Sequence, residues 1–262
     1  MKKYTSKLRA SAILVSSVIL CAAGTTHATL IEGFESGFGP GELVAGDAGI
    51  RGSYFGIAAA QGNDQLLLTT INSTSGSADA NGGYTNQSGN NSVLGSSLAT
   101  FFGVSAGSIE DGSITGKQGS GFTISLGALS AGQTISFNYD FLTQEANNGS
   151  TNKDFAFYTL TNQSGTTVIT DVLSATSGTP GSTDPFGSQT QYHTLSINVT
   201  SPGAYTLGIG VVDAGSPSTD DAPSALLIDN IRLVPEPSTA AFAVAGAVLL
   251  VALRSRMRKS RL

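Results

Sequence analysis

The chain has 262 residues with a formal charge of −5, 33 glycines, one cysteine and no tryptophan. A single cysteine excludes an internal disulfide framework, and the acidic balance argues against nucleic acid, whose phosphates are met by Lys and Arg. The charge is unevenly placed: four of the 13 basic residues precede residue 10 and five follow residue 253. Residues 29–234 therefore keep Arg51, Lys117, Lys153 and Arg232 against 17 acids, a balance of 4 − 17 = −13.

Lys2, Lys3, Lys7 and Arg9 form a positive n-region, Ala12 to Ala23 an apolar h-region, and Thr26-His27-Ala28 offers the small residues that a signal peptidase reads. Residues 1–28 are expected to be a signal peptide cleaved after Ala28. Cys21 would leave with it, and Leu20 stands where lipidation would need a small residue. Thiol catalysis and cysteine metal sites are then excluded from the mature chain.

Residues 29–234 are about the size of one domain. They are rich in Gly, Ser, Thr and Asn, and they hold short runs of β-branched and aromatic residues between turn signals but no long helical periodicity. The expected fold is all-β, an antiparallel, jelly-roll-like β-sandwich, since the apolar faces of seven or more strands must be buried and no helix is at hand to cover them. Phe122 to Leu126 and Gln133 to Phe141 alternate across the Gly127 to Gly132 turn and read as a hairpin. Further strands are expected at 154–161, 166–173, 192–199, 204–212 and 224–234, with long loops over 76–121.

The acids of this domain recur at strand ends. Divalent cations are their natural counter-ions, and Ca²⁺ takes about six to eight oxygen ligands. Glu145, Asp154, Asp213 and Asp229 are the candidates for a structural calcium site, with Asp220 or Asp221 as a further ligand. The alternative is that they are solvated turn carboxylates. Phenylalanines 137, 141, 155 and 157 fall at core spacing. Tyr54, Tyr84 and Tyr192 lie in or near polar loops and are the rings freest to stack on a sugar.

Signs of catalysis are poor, and no enzyme is expected. Gly103-Val104-Ser105-Ala106-Gly107 fits the nucleophile-elbow spacing, but the residues after Gly107 do not look helical. His193 is the one histidine left after cleavage, and it sits in an alternating strand.

The chain ends in Val234-Pro235-Glu236-Pro237, an apolar run from Thr239 to Leu253, and Arg254, Arg256, Arg258, Lys259 and Arg261. Counted from Pro237, the run just reaches the length of about 17 residues that the shortest membrane-crossing helix needs. The basic cluster should hold its end in the cytoplasm. Motif, helix and basic tail together resemble the PEP-CTERM sorting domain. The resemblance implies that residues 235–262 hold an exported protein in the inner membrane through a single C-terminal transmembrane helix until an exosortase cleaves near the motif. The product would then reach the cell surface or the extracellular matrix, alongside exopolysaccharide and biofilm production.

The stretch from Phe122 to Leu233 is also similar to the carbohydrate-binding-module-like sandwiches that such proteins often carry. Glu32 and Glu35 in the first strand resemble the Phe-Glu starts of carbohydrate-binding jelly rolls, where the acid serves a calcium site. The first expectation is thus a non-enzymatic surface or matrix protein with exosortase, signal peptidase and the inner membrane as partners. The alternatives are a secreted carbohydrate-binding or glycan-hydrolysing domain on the same route, and a self-associating structural protein.

Overall fold

The computed structural model describes residues 28–72, 86–111, 114–143, 154–162, 165–169, 186, 188–214 and 223–235. In chain order the strands are β1 (Thr29–Glu32), β2 (Glu42–Ala45), β3 (Asp47–Arg51), β4 (Ser53–Tyr54), β5 (Ile57–Ala58), β6 (Gln65–Thr69) and β7 (Val93–Leu94). The helix α1 (Gly95–Phe101) follows, then β8 (Glu110–Asp111), β9 (Ile114–Thr115), β10 (Gln118–Leu129), β11 (Thr134–Thr143) and β12 (Phe155–Asn162). The last strands are β13 (Gly165–Ile169), β14 (Ser188–Gln189), β15 (His193–Asn198), β16 (Gly203–Asp213) and β17 (Ser224–Val234).

They build two main sheets. The seven-stranded sheet runs β14-β11-β17-β6-β3, with β1 beside β17 and β15 beside β11. The six-stranded sheet runs β13-β12-β16-β10-β2, with β7 beside β10. Every pairing whose register is resolved is antiparallel.

The period-two alternation of strands decides what lies between the sheets. Leu66, Leu68, Phe137, Phe141, Leu226 and Ile228 of the seven-stranded sheet meet Phe122, Ile124, Tyr158, Leu207, Ile209 and Val211 of the six-stranded sheet in one buried layer. Phe137 and Tyr158 touch edge-to-face across it, with ring centroids 6.3 Å apart. Each such side chain contributes about 1.5–3 kcal/mol by leaving water. The fold is therefore the expected antiparallel β-sandwich.

Two expectations are corrected. Phe122 to Leu126 and Gln133 to Phe141 are strands, β10 and β11, but not a hairpin: β10 pairs with β16 and β2, while β11 pairs with β15. The register slips between Ser125 and Gly127, and Gly127 has φ +68, so β10 bends at a glycine bulge. The turn beyond it is held at β15's end, through Gly132 N–H to Val199 O. The chain crosses from one sheet to the other there.

The second correction is α1. Its seven residues are too few to hold a helix alone, and its start has no side-chain cap. Packing holds it instead: Leu98, Ala99 and the following Phe102 form a buried cluster with Phe155, Phe157 and Val212 on the outside of the six-stranded sheet. Gly121 of β10 pairs with Gly210 of β16, and Gly208 follows on the same face. These glycines leave the floor on which the Phe102 ring lies.

Candidate functional site

With α1 on one outer face, the outer face of the seven-stranded sheet is the candidate surface. It changes character along the strands. At one end Leu67, Leu142, Ala225 and Leu227 are covered by Tyr54 of the β4–β5 hairpin and by Phe186. At the other end the side chains are hydroxyls and amides bound to one another. Thr134 Oγ1 donates to Asn198 Oδ1 at 2.8 Å, Asn138 Nδ2 to Thr194 Oγ1 at 2.8 Å, and Asn230 Nδ2 to Asn138 Oδ1 at 2.7 Å. Arg232 continues the row, donating to Asn230 Oδ1 and Gln61 Oε1.

Between the two ends lie Asp140 on β11, Asp229 on β17, Gln65 on β6, and Tyr192. The Tyr192 hydroxyl donates to Gln65 Oε1, and Gln65 Nε2 donates to Ile57 O at 2.9 Å, which ties the hairpin to this middle row. Asp229 accepts Gln61 N–H at 2.6 Å and Asn230 N–H at 2.5 Å. Asp140 accepts the Thr190 hydroxyl at 3.1 Å. Burial pushes the Asp140 carboxyl up to about 6 against the pull of those donors. Burial also raises Asp229, with the nearby negative charge of Glu35 adding to it. The Tyr192 phenol is raised by burial and then by both acids.

Backbone strain gathers on the same face. Four described non-glycine residues have positive φ, and three of them border this surface: Phe55 at the hairpin tip (φ 47), Gln191 next to Tyr192 (φ 61), and Asn230 in the polar row (φ 58). Residues with a Cβ adopt this region at a cost, and such strain concentrates where a site needs a side chain aimed.

Of the expected calcium ligands that are described, Asp154 and Asp213 stand together and Asp229 lies apart. Phe155 pairs with Val212, so Asp154 and Asp213 stand side by side at one end of the six-stranded sheet. Asp154 Oδ1 accepts Ala214 N–H, and Asp213 Oδ2 accepts Gln118 Nε2. Gln118 Oε1 in turn accepts Asn72, while neighbouring Thr70 N–H bonds Ser224 O, so this end of the sandwich is the Ser224 end of β17. Asp229 lies five residues further along that strand, on the order of 16 Å at the usual rise. It is thus separated from Asp154 and Asp213 and belongs with Asp140 and Tyr192. Glu145, Asp220 and Asp221 lie outside the described residues. Among the described residues no three His, Cys, Asp or Glu are grouped to hold a metal ion.

The remaining candidates are placed as follows. Glu35 caps the loop ahead of β6, accepting Asn63 N–H at 2.7 Å and Asp64 N–H at 3.1 Å, and Glu32 accepts Gly33 N–H at 2.9 Å. Ser105 follows α1 instead of standing between a strand and a helix, so the elbow geometry is absent. His193 is exposed, and its Nε2 lies 3.0 Å from Thr190 O. Tyr54 is corrected from free ring to covering residue at 6% exposure; its neighbour Phe55 is the exposed one at 39%. Tyr192 is half-buried, and Tyr84 lies outside the described residues. Ala28 precedes β1, Val234 ends β17 and Pro235 follows it, whereas Glu236, Pro237 and the apolar run lie outside. Among the described residues no helix is long and apolar enough to cross a membrane.

The buried acids set a pH dependence. Asp140 titrates near 6 in the folded chain, against an ordinary 3.8. Glu42 is pushed up to about 7, first by burial and then by the hydrogen bond and charge of Glu32. A carboxyl raised by folding holds its proton after the unfolded chain has released it, so its contribution is full below the unfolded value and is lost as pH rises through the folded one. The protein should therefore melt higher at about pH 5 than at about pH 8. Asp140→Asn should flatten the fall between about pH 4 and 6 and recover roughly 2–3 kcal/mol at neutral pH. Melting curves across pH check this, and an unchanged slope in the variant would refute the assignment.

No protein-family model matches the chain, and no curated protein does. Solved structures similar to it include TmCBM61 in complex with β-1,4-galactotriose, at 10% identity over 78% of this chain and 94% of that one, with a TM-score of 0.40. The K3 cleaved adhesin domain of Lys-gingipain from Porphyromonas gingivalis is similar at 11% identity over 80% and 100%, with a TM-score of 0.39. The family 11 carbohydrate-binding module of a cellulosomal cellulase of Clostridium thermocellum is similar at 10% identity over 80% and 95%, with a TM-score of 0.34. Likenesses of this degree leave the site to be argued from the chain itself.

Proposed function

We propose that the chain is an exported, non-enzymatic surface protein, sorted through its C-terminal tail by an exosortase, whose sandwich binds glycan on the outer face of the seven-stranded sheet. The observation that carries the binding half is the row Thr134, Asn138, Thr194, Asn198, Asn230 and Arg232, held in place by mutual hydrogen bonds. Such groups offer donors and acceptors in a fixed array, and sugar hydroxyls need both. Preorganised polar groups spare the entropy of ordering them on binding. A non-catalytic role fits the two acids of the face, since Asp140 and Asp229 are 1% and 0% exposed. A glycosidase acid must reach the glycosidic oxygen. The sorting half rests on Val234-Pro235-Glu236-Pro237, the apolar run and the basic end.

One experiment addresses both halves. The full chain is expressed in an exosortase-bearing host and in its exosortase-deleted counterpart, and the protein from each is typed for its C-terminus and applied to a glycan array. The tail should be absent from the first and intact in the second. Both should bind the same glycans, and Asn138→Ala with Arg232→Ala should abolish that binding. An intact tail on surface protein from the first host would overturn the sorting half; an array without binding would overturn the other.

A further inference from the structure

We propose that Phe55 is the stacking platform of this surface and that the ligand it selects is an uncharged glycan, an inference that rests on the glycan-binding reading above. Phe55 and Gly56 close the β4–β5 hairpin with φ 47 and 81, the two-residue turn in which both central residues are left-handed. That turn favours Asn-Gly or Asp-Gly. A phenylalanine there costs conformational strain and gains only partial burial in return, because the residue stays 39% exposed while Tyr54 takes the covering position. An exposed ring kept at a strained position points to a use for the ring.

Its setting fits a platform. Tyr54 meets the ring edge-on at 4.3 Å between centroids and Phe186 at 5.7 Å, with interplanar angles of 72° and 78°, so its orientation is fixed before any ligand arrives. A Cβ built on Gly56 would meet nothing within 4 Å, so the tip of the turn next to Phe55 is uncovered. A pyranose presents a face of C–H bonds that an aromatic ring can cover, and further sugar units of the same chain would run along the face toward the amide row. The charge decides the class of sugar. With −13 over residues 29–234, a uronate or sulfated polymer is repelled before contact, and a neutral one is not.

The test uses the full chain on an array holding both neutral and uronate-bearing glycans, with Phe55→Gly and Phe55→Tyr beside the wild type. Glycine relieves the left-handed strain but gives up the contacts with Tyr54 and Phe186, so Phe55→Gly should melt within a few degrees of wild type and bind neutral glycan at least about tenfold more weakly, a loss of about 1.4 kcal/mol. Phe55→Tyr keeps a ring and should keep binding. If Phe55→Gly bound as well as wild type, the platform would be wrong while the amide row and the glycan reading stood. Preference for uronate-bearing glycans would overturn the assignment to uncharged sugars. Binding of the wild type to no glycan would remove both readings together.

Discussion

Phe102→Ala should destabilise the protein by about 3–5 kcal/mol, the usual cost of emptying a buried aromatic site. The ring is buried, packs edge-on against Phe157 at 5.1 Å, and lies on a floor of glycines. A Cβ added at Gly121 would come within 2.5 Å of the ring's Cζ and 3.1 Å of Leu98 Cδ1; one at Gly208 would come within 2.6 Å of the ring's Cδ1. Gly121→Ala alone should therefore cost about 1–3 kcal/mol through overpacking. The contacts it would violate are side chains of α1 and its end, not backbone. In a chain already carrying Phe102→Ala, the new methyl enters the vacated space and should cost close to nothing. The double-mutant cycle should then show a coupling of at least about 1 kcal/mol. Denaturant titration of the four proteins measures it. Additive losses would mean that the glycines are there for some reason other than the ring.

That pair also shows what a sequence does and does not disclose. The alternation of Leu207, Ile209 and Val211 marks β16 as a strand with one face in the core, and the strands at 192–199, 204–212 and 224–234 are legible for the same reason. Gly208 and Gly210 on the opposite face carry a second message, since glycine inside a strand marks a close approach of something else. The approaching element was not legible: Gly95–Phe101 is a short run with no cap and little periodicity, and tertiary packing overrides its weak local preference. The β10–β11 connection fails for a related reason. Alternation identifies two strands and a turn, but the bulge at Gly127 that sends them into different sheets depends on partners far along the chain.

The candidate surface divides in the same way. Asp229 stands out in the sequence as an acid within an apolar strand, and it does lie on the polar face. Its companions there, Asp140 on β11, Gln65 on β6 and Tyr192 just ahead of β15, come from segments that sequence spacing cannot rank by neighbourhood. Asp154 and Asp213 look equivalent to Asp229 in one dimension and fall at another end of the sandwich, because the β12–β16 pairing brings them to the Ser224 end of β17 while Asp229 lies five residues along that strand. Phe55 is concealed by its neighbour: Tyr54-Phe55-Gly56 carries two aromatics, and only the turn's backbone decides which one faces out.

Asp47→Ala should cost about 3 kcal/mol, and nothing in the sequence marks that residue out from the other acids. Gly46-Asp47-Ala48-Gly49 reads as a turn, yet Asp47 opens β3 and is fully buried. Its carboxylate accepts the Thr69 hydroxyl at 2.5 Å, Gln87 N–H at 2.9 Å, and both Ser88 N–H and Ser88 Oγ at 2.7 Å. Its own N–H donates to Ser120 Oγ, which donates onward to Thr69 O at 2.6 Å. One side chain thus ties β3 and β6 to the segment from residue 86 that leads into β7 and α1, and its backbone links the same strands to β10. Hydrogen bonds to a charged group contribute about 1.5–3 kcal/mol each. Ser88 is exposed and can turn to water, so only the Thr69 and Gln87 bonds are lost without replacement. Asp47→Asn keeps the shape and one acceptor oxygen but turns an amide against two donors, and should cost about half as much. Amide exchange over residues 86–94 should accelerate in both variants ahead of the core strands, because the tether is local. A loss below about 0.5 kcal/mol in Asp47→Ala, the range of ordinary surface changes, would mean that the segment is held by its other contacts.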